Sequence, residues 1–152
     1  MFVNEETVND YKKQGVALLR NVISSDWLEK LARGIEKNFL DPSKYKCVYE
    51  QENGKEIFYD DYCNWQRIEE YKDFIFNSDI AKIAAQLMQS KKVNLFHEHV
   101  LIKEPGAKKR TPWHQDQPYY CVDGKDNCSL WIPLDKIIKG VCPEFVKFSH
   151  TW

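Results

Sequence analysis

The spacing of apolar residues changes near Val93, and this change restricts the chain to folds that combine helices with a separate set of strands. Before this point, apolar residues recur every three or four positions behind polar residues that can cap a helix. This pattern predicts helices at 4–14, 24–39, 68–76 and 78–88. It also predicts a short apolar strand at 16–19 and, over 41–64, a long connection with some strand character.

From Val93 onwards, short apolar runs are separated by the turn-forming pairs Pro105-Gly106 and Asp123-Gly124. We predict strands at 93–103, 113–121, 129–134 and 144–148. Because helices come first and strands last, the sequence predicts an α+β fold in which helices flank a strand-built core. A chain of 152 residues indicates a single domain, 1–152, with a helical part over about 1–92 and the strand-rich part over about 93–152.

Composition and charge limit the kinds of molecule that we expect the protein to bind. The formal net charge is −1, which offers no general electrostatic attraction to nucleic acid or to an anionic membrane. No apolar run approaches the roughly 20 residues needed to cross a bilayer. The five cysteines are odd in number and no secretory signal precedes them, so we expect reduced thiols in a cytoplasmic protein. Aromatic residues make up 14% of the chain and suit a pocket for a small organic ligand.

The segment Thr-Pro-Trp-His-Gln-Asp-Gln-Pro-Tyr at 111–119 carries the sharpest chemical signal. His114 and Asp116 are two residues apart, so on a strand their side chains point to the same face. An imidazole nitrogen beside a carboxylate oxygen forms two corners of the facial 2-His-1-carboxylate site that suits Fe(II). The spacing alone also occurs by chance, and a simple hydrogen-bonded His–Asp pair is the alternative interpretation.

Several segments together resemble the phytanoyl-CoA dioxygenase family of Fe(II)- and 2-oxoglutarate-dependent oxygenases. They lie at 15–22, 96–106, 111–119, 131–135 and 149–150. The resemblance extends from about Tyr11 to Trp152. It implies a double-stranded β-helix, a jelly-roll, cupin-like core with helices packed on one side. It also implies a reaction in which 2-oxoglutarate and dioxygen are consumed and a small organic substrate or acyl thioester is hydroxylated.

Carried over by position, the resemblance gives His114 and Asp116 the role of iron ligands, with Trp113 and Gln115 beside them at the pocket wall. It places Gln115, Lys103 and Trp131 as candidates for binding 2-oxoglutarate or lining the pocket. Lys103 can equally be a solvated charge at a strand end, and for Trp131 we favour core packing over contact with a ligand.

The sequence departs from the family pattern in its last part. Family members carry a further ligand His, followed by an Arg that grips 2-oxoglutarate, a task suited to guanidinium. Here no Arg follows Arg110, and the later His150 sits at the family's Gly-Ser-His turn, where Phe148 replaces the Gly. The predicted strands number about four, whereas a jelly roll has eight.

Three explanations remain open: a fragment of a longer protein, which we favour, an inactive shortened relative, or a sheet completed by a partner chain. Under each explanation, the strands of this chain alone should form an incomplete sheet with exposed apolar residues. The 152-residue chain should then bind Fe(II) weakly and turn over little 2-oxoglutarate.

Two other functions compete with the oxygenase. His97 and His99 share a strand face and, with Glu104, resemble part of a cupin metal motif. Glu104 has the wrong parity on a straight strand, and the histidines can instead pack against aromatic residues. The other competitor is an inactive dioxygenase-like binding or scaffold protein, which the missing His and Arg would explain. The basic run 108–110 is typical of a solvated loop and, in an oxygenase, can steer an anionic substrate.

Overall fold

The computed structural model describes residues 3–50, 57–107 and 110–152. These residues contain four α-helices, one three-stranded sheet and two short 3₁₀-helices. They divide into two compact units, which are described separately below. The first comprises the described residues within Met1–Ser25, Ser78–Asn94 and His114–Trp152, and the second those within Asp26–Asn77 and Leu95–Trp113.

Helix α1 (Glu5–Gln14) begins the first unit and has the ends that its sequence predicts. The Asn4 side chain accepts a hydrogen bond from the Thr7 amide at 2.8 Å, which satisfies an otherwise unpaired amide of the first turn. Gly15 ends the helix with a φ of 83°, and its amide donates to the Tyr11 carbonyl. The prediction of a helix over 4–14 is therefore confirmed.

Helix α4 (Ile80–Met88) packs against α1 and completes the core of the first unit. Val3, Val8, Ile83 and Leu87 are buried together there. Residues 16–19 do not form the strand predicted for them, although Ala17 and Leu19 contact this core. Burial of these apolar side chains in an irregular segment accounts for the apolar pattern without strand pairing.

The second unit contains α2 (Ser25–Leu40), α3 (Glu69–Asn77) and the antiparallel sheet. Both helices match their predicted spans to within one residue. Ile68, Tyr71 and Val100 form a buried cluster, against which Leu31 and Ile35 of α2 pack. Gly34 allows α2 to approach Tyr71 of α3 closely, because a Cβ at position 34 would lie only 2.6 Å from the Tyr71 ring.

The sheet has the order β1-β2-β3, with β1 at Cys47–Glu50, β2 at Ile57–Tyr62 and β3 at His99–Lys103. Both pairs of strands are antiparallel, and Tyr59 pairs with Val48 on one side and Ile102 on the other. The strand character predicted in 41–64 is therefore confirmed as β1 and β2. Only the second half of the strand predicted at 93–103 forms, because β2 pairs with residues 99–103 alone.

The strands predicted at 113–121, 129–134 and 144–148 do not form. In their place the structure has a 3₁₀-helix at Gln117–Tyr119 and irregular backbone, and a second 3₁₀-helix follows at Ser149–Thr151. Pro118 and Pro133 interrupt two of these segments and cannot donate to a sheet ladder. The described residues are thus α+β, as predicted, but their three strands do not confirm the jelly-roll core that the resemblance implies.

Apolar side chains between Trp113 and Trp152 are widely exposed, as expected for residues without a covering sheet. Examples that are more than half exposed are Val122, Ile138, Val141, Phe145 and Trp152. None of the helices in the described ranges has the length and apolar character needed to cross a membrane.

A buried carboxylate connects the sheet to α2 in the second unit. Asp61 of β2 and Asn38 of α2 are both fully buried. The Asp61 carboxylate accepts hydrogen bonds from Asn38 Nδ2 at 2.8 Å, from the Ser43 amide at 2.8 Å and from the Tyr59 hydroxyl at 3.2 Å. It also accepts from the Ser43 hydroxyl and from the Tyr62 amide. Each donor compensates part of the cost of removing the charge from water.

These hydrogen bonds change the acidity of Asp61. Burial by itself raises the pKa of the carboxyl, but the bonds donated by Ser43 and Asn38 outweigh it and lower the pKa from 3.8 to about 2. Since the pKa is lower in the folded chain, the ionised carboxylate stabilises the fold above pH 3.8. This stabilisation is lost as the pH falls towards 2.

Asp61→Asn should lower the free energy of unfolding by about 1–3 kcal/mol at pH 7, because the new amide group would face donors and leave a buried hydrogen bond unmade. It should also flatten the decline in stability between about pH 4 and pH 2. Urea unfolding across this pH range measures both effects. Asp41→Asn is the matched control, since the Asp41 side chain is 88% exposed and should matter much less. Equal effects of the two changes would contradict the role of Asp61.

Gly15→Ala should destabilise the chain by about 1–2 kcal/mol, because an L-residue resists a φ of 83° and the added methyl would collide with the His150 imidazole. Gly140→Ala serves as the control, since its Cβ would enter open space. Urea unfolding of the two variants should separate them, and equal stabilities would show that the contact with His150 does not constrain the first unit.

Candidate metal site

His114 and Asp116 lie side by side at the start of the irregular C-terminal segment of the first unit. The distance from His114 Nε2 to Asp116 Oδ1 is 3.3 Å, and the two side chains are 43% and 46% exposed. Asp116 has helical backbone angles (φ −71°, ψ −36°) and immediately precedes the 3₁₀-helix at Gln117–Tyr119. The structure therefore brings the two groups together at a bend, and the strand predicted for them is wrong, since Asp116 has helical backbone angles and no strand forms here.

This separation is compatible with two ligands of one ion. Two atoms about 2.1 Å from an octahedral ion and at right angles to each other lie about 3.0 Å apart. A nitrogen and a carboxylate oxygen suit Fe(II), so the pair fits two corners of a facial site. Across 3–50, 57–107 and 110–152, no group of three or more His, Cys, Asp or Glu side chains is arranged to hold a metal ion. The described residues therefore offer at most two of the three ligands that a facial triad requires.

The second carboxylate oxygen of Asp116 has a separate partner. Ser129 Oγ donates a hydrogen bond to Asp116 Oδ2 at 2.6 Å, and the Tyr120 hydroxyl lies 3.1 Å from Ser129 Oγ. Burial raises the pKa of Tyr120, and the negative charge of Asp116 adds to the rise. Sequence reasoning places Tyr120 only among the aromatic residues that could form an apolar shell, and it missed Ser129 and its bonds to Tyr120 and Asp116. No spacing rule links residues joined only by a folded loop.

The Gln115 side chain binds the C-terminal turn. Its Nε2 donates to the Ser149 carbonyl at 2.6 Å. The same turn contacts the end of α1, where the Phe148 amide donates to the Gln14 carbonyl at 3.1 Å. Gln115 is thus bonded to the backbone of this turn, which contains Phe148, Ser149 and His150 and is called the Ser-His turn below.

The Ser-His turn keeps a left-handed residue despite the loss of the family glycine. Phe148 has a φ of 67°, a conformation that a Cβ makes costly. His150 Nε2 lies 3.0 Å from the Lys12 carbonyl near the C-terminus of α1. A histidine at this end of a helix satisfies a carbonyl that has no partner within the helix. The contacts with α1 therefore support a turn that Phe148 would otherwise disfavour.

The other predicted pocket residues are exposed. Trp131 is 49% exposed in the first unit, so it does not pack in a core as favoured from the sequence. Trp113 is 68% exposed in the second unit. Lys103 ends β3 in the second unit, and its Nζ lies 4.9 Å from the centre of the Phe58 ring. The geometry of each unit alone gives these three residues no defined role.

The alternative cupin-type residues lie in the second unit. His97 and His99 both meet the Tyr62 ring edge to face, and their own ring centres are 6.3 Å apart. His99 Nε2 is 3.8 Å from Asp60 Oδ1. Glu104 follows the end of β3, where its carbonyl accepts from the Ala107 amide in a turn. The two histidines therefore pack against an aromatic ring, and no group of three metal-binding side chains forms among the described residues here.

Comparison with known protein families identifies the group to which these features belong. The model of the phytanoyl-CoA dioxygenase (PhyH) family matches residues 11–152. The chain belongs to the phytanoyl-CoA dioxygenase family. Members of this family are generally Fe(II)- and 2-oxoglutarate-dependent dioxygenases. No curated protein and no solved structure matches the chain significantly.

Proposed function

We propose that this chain is an Fe(II)- and 2-oxoglutarate-dependent oxygenase that hydroxylates a small organic substrate or an acyl thioester. The observation that carries the proposal is the 3.3 Å approach of His114 Nε2 to Asp116 Oδ1, within a chain that belongs to a dioxygenase family. Bound iron would supply the redox chemistry by which dioxygen oxidises 2-oxoglutarate to succinate and carbon dioxide and converts a substrate C–H bond to C–OH. One oxygen atom of dioxygen enters succinate and the other enters the hydroxylated product.

His114 and Asp116 would hold the iron in this proposal. Their partial exposure leaves the pair open to 2-oxoglutarate, dioxygen and substrate. For the co-substrate we propose Gln115 and Trp131 of the same unit as contacts, since an amide can bind a carboxylate and an indole can cover an apolar chain. The role of Lys103 in binding 2-oxoglutarate stays a prediction from the sequence.

We further propose that the partners are a small-molecule substrate and dioxygen, without nucleic acid or membrane, in the cytoplasm. A formal net charge of −1 supports the proposal that neither nucleic acid nor membrane is a partner, because binding to phosphate backbones and anionic lipid depends on an excess of positive charge. The five free cysteines support a reducing compartment.

Fe(II) should bind the 152-residue chain weakly, and succinate release should be low, because the described residues offer two ligands and no Arg follows Arg110. His114→Ala or Asp116→Ala should weaken Fe(II) binding by about 100-fold or more, a larger loss than removal of an outer hydrogen bond causes. Anaerobic Fe(II) titration and a succinate assay measure these quantities. Asp126→Ala, in the same loop, controls for the loss of a charge.

Unchanged Fe(II) binding in both ligand variants would refute the assignment of His114 and Asp116. It would favour the second candidate, an inactive dioxygenase-like binding protein, for which the lack of a three-ligand group among the described residues is the supporting observation. Robust succinate release by the purified chain would instead show that a complete site forms.

A comparison of His99→Ala with His114→Ala distinguishes the family site from a cupin-type site. We expect His114→Ala to abolish the tightest Co(II) binding seen in an absorption titration, and His99→Ala to leave it unchanged. The reason is that His99 contacts Asp60 and the Tyr62 ring, whereas His114 faces a carboxylate at ligand spacing. The reverse result would place the metal at β3.

A further inference from the structure

The two oxygens of the Asp116 carboxylate face different groups. Oδ1 lies 3.3 Å from His114 Nε2, and Oδ2 accepts the hydroxyl proton of Ser129 at 2.6 Å. The length of this O–H···O⁻ bond is typical of charge-assisted hydrogen bonds, which are about twice as strong as hydrogen bonds between neutral groups. With Oδ2 held in this way, rotation of the carboxylate is restricted and Oδ1 stays towards the imidazole.

Ser129 is itself oriented by Tyr120. The Tyr120 hydroxyl and Ser129 Oγ are 3.1 Å apart, and either atom can donate. Because Ser129 gives its only proton to Asp116, its oxygen is left to accept from Tyr120. The proton donors therefore run in one direction, from Tyr120 to Ser129 to the carboxylate.

The loop between these residues is closed by bonds that do not involve Asp116. Gln117 Nε2 donates to the Val122 carbonyl at 2.6 Å, and Asn127 Nδ2 donates to Gln117 Oε1. The Tyr11 hydroxyl of α1 donates to the Asn127 carbonyl at 3.3 Å. These contacts fold the loop back so that Ser129 lies beside Asp116, thirteen residues earlier in the chain. The loop therefore positions the serine whose hydroxyl binds the carboxylate.

We propose that Ser129, supported by Tyr120, is a positioning residue that holds the Asp116 carboxylate so that Oδ1 and His114 Nε2 face one metal ion. The proposal rests on the proposed function, since it assigns a partner to one of the two proposed ligands. Ligating carboxylates are commonly hydrogen-bonded by outer groups, and loss of such a partner typically weakens metal binding by about 10- to 100-fold. Ser129 is exposed, so its removal should affect metal affinity far more than folding.

The test uses Mn(II) and the intact 152-residue chain, with binding followed by the relaxation of water protons, which reports weak as well as tight sites. Ser129→Ala should weaken Mn(II) binding by about 10- to 100-fold. Ser129→Thr should restore it, because the hydroxyl is retained. Tyr120→Phe should cause a smaller loss than Ser129→Ala, since it removes only the second donor.

Ser90→Ala is the matched control, because the Ser90 hydroxyl donates to the Lys92 carbonyl and its loss should leave Mn(II) binding unchanged. Thermal unfolding of each variant separates a loss of affinity from a loss of structure. If Ser129→Ala does not fold, Tyr120→Phe decides the question, and an affinity equal to the parent would overturn the proposal.

The outcomes distinguish this inference from the proposed function. Loss of Mn(II) binding in His114→Ala and Asp116→Ala, together with parental affinity in Ser129→Ala, would overturn the role of Ser129 and leave the ligand pair intact. Parental affinity in the ligand variants, or no Mn(II) binding by the parent, would contradict the ligand pair and the role of Ser129 with it.

Discussion

A buried, ionised carboxylate is the constraint on which the second unit depends. Asp61 has no exposed surface, and a carboxylate in that position is tolerated only when donors replace the water it has lost. The donors come from α2, from the segment after it and from β2 itself, through Asn38, Ser43 and Tyr59. Satisfying one charge therefore determines how the helix and the sheet meet.

The candidate site follows a related principle at a more exposed location. His114 and Asp116 meet without a strand beneath them, because the loop after Asp116 folds back and returns Ser129 to the carboxylate. Local hydrogen bonds and the contact of Tyr11 with Asn127 replace the sheet as the support. Such bonds are individually worth about 1 kcal/mol in water, so several must act together to define the loop.

Elements whose signals are local were predictable. Helix α1 begins at Asn4 and ends at Gly15 because both residues act through the backbone next to them, and α2 and α3 follow from apolar spacing along one face. The strands were less predictable, since a strand forms only where another pairs with it. Residues 129–134 have strand-like composition but contain Pro133 and find no partner among the described residues, so Trp131 remains half exposed.

The sequence by itself determined the family and the spacing of an imidazole and a carboxylate two residues apart. The reason is that residue identity and short spacing are properties of the covalent chain. Only the tertiary structure decided that a turn presents the pair, that Gln115 binds the Ser149 carbonyl and that Ser129 binds Asp116. These contacts join residues 13 and 34 positions apart, and the folding of the intervening chain, which no local pattern encodes, brings them together.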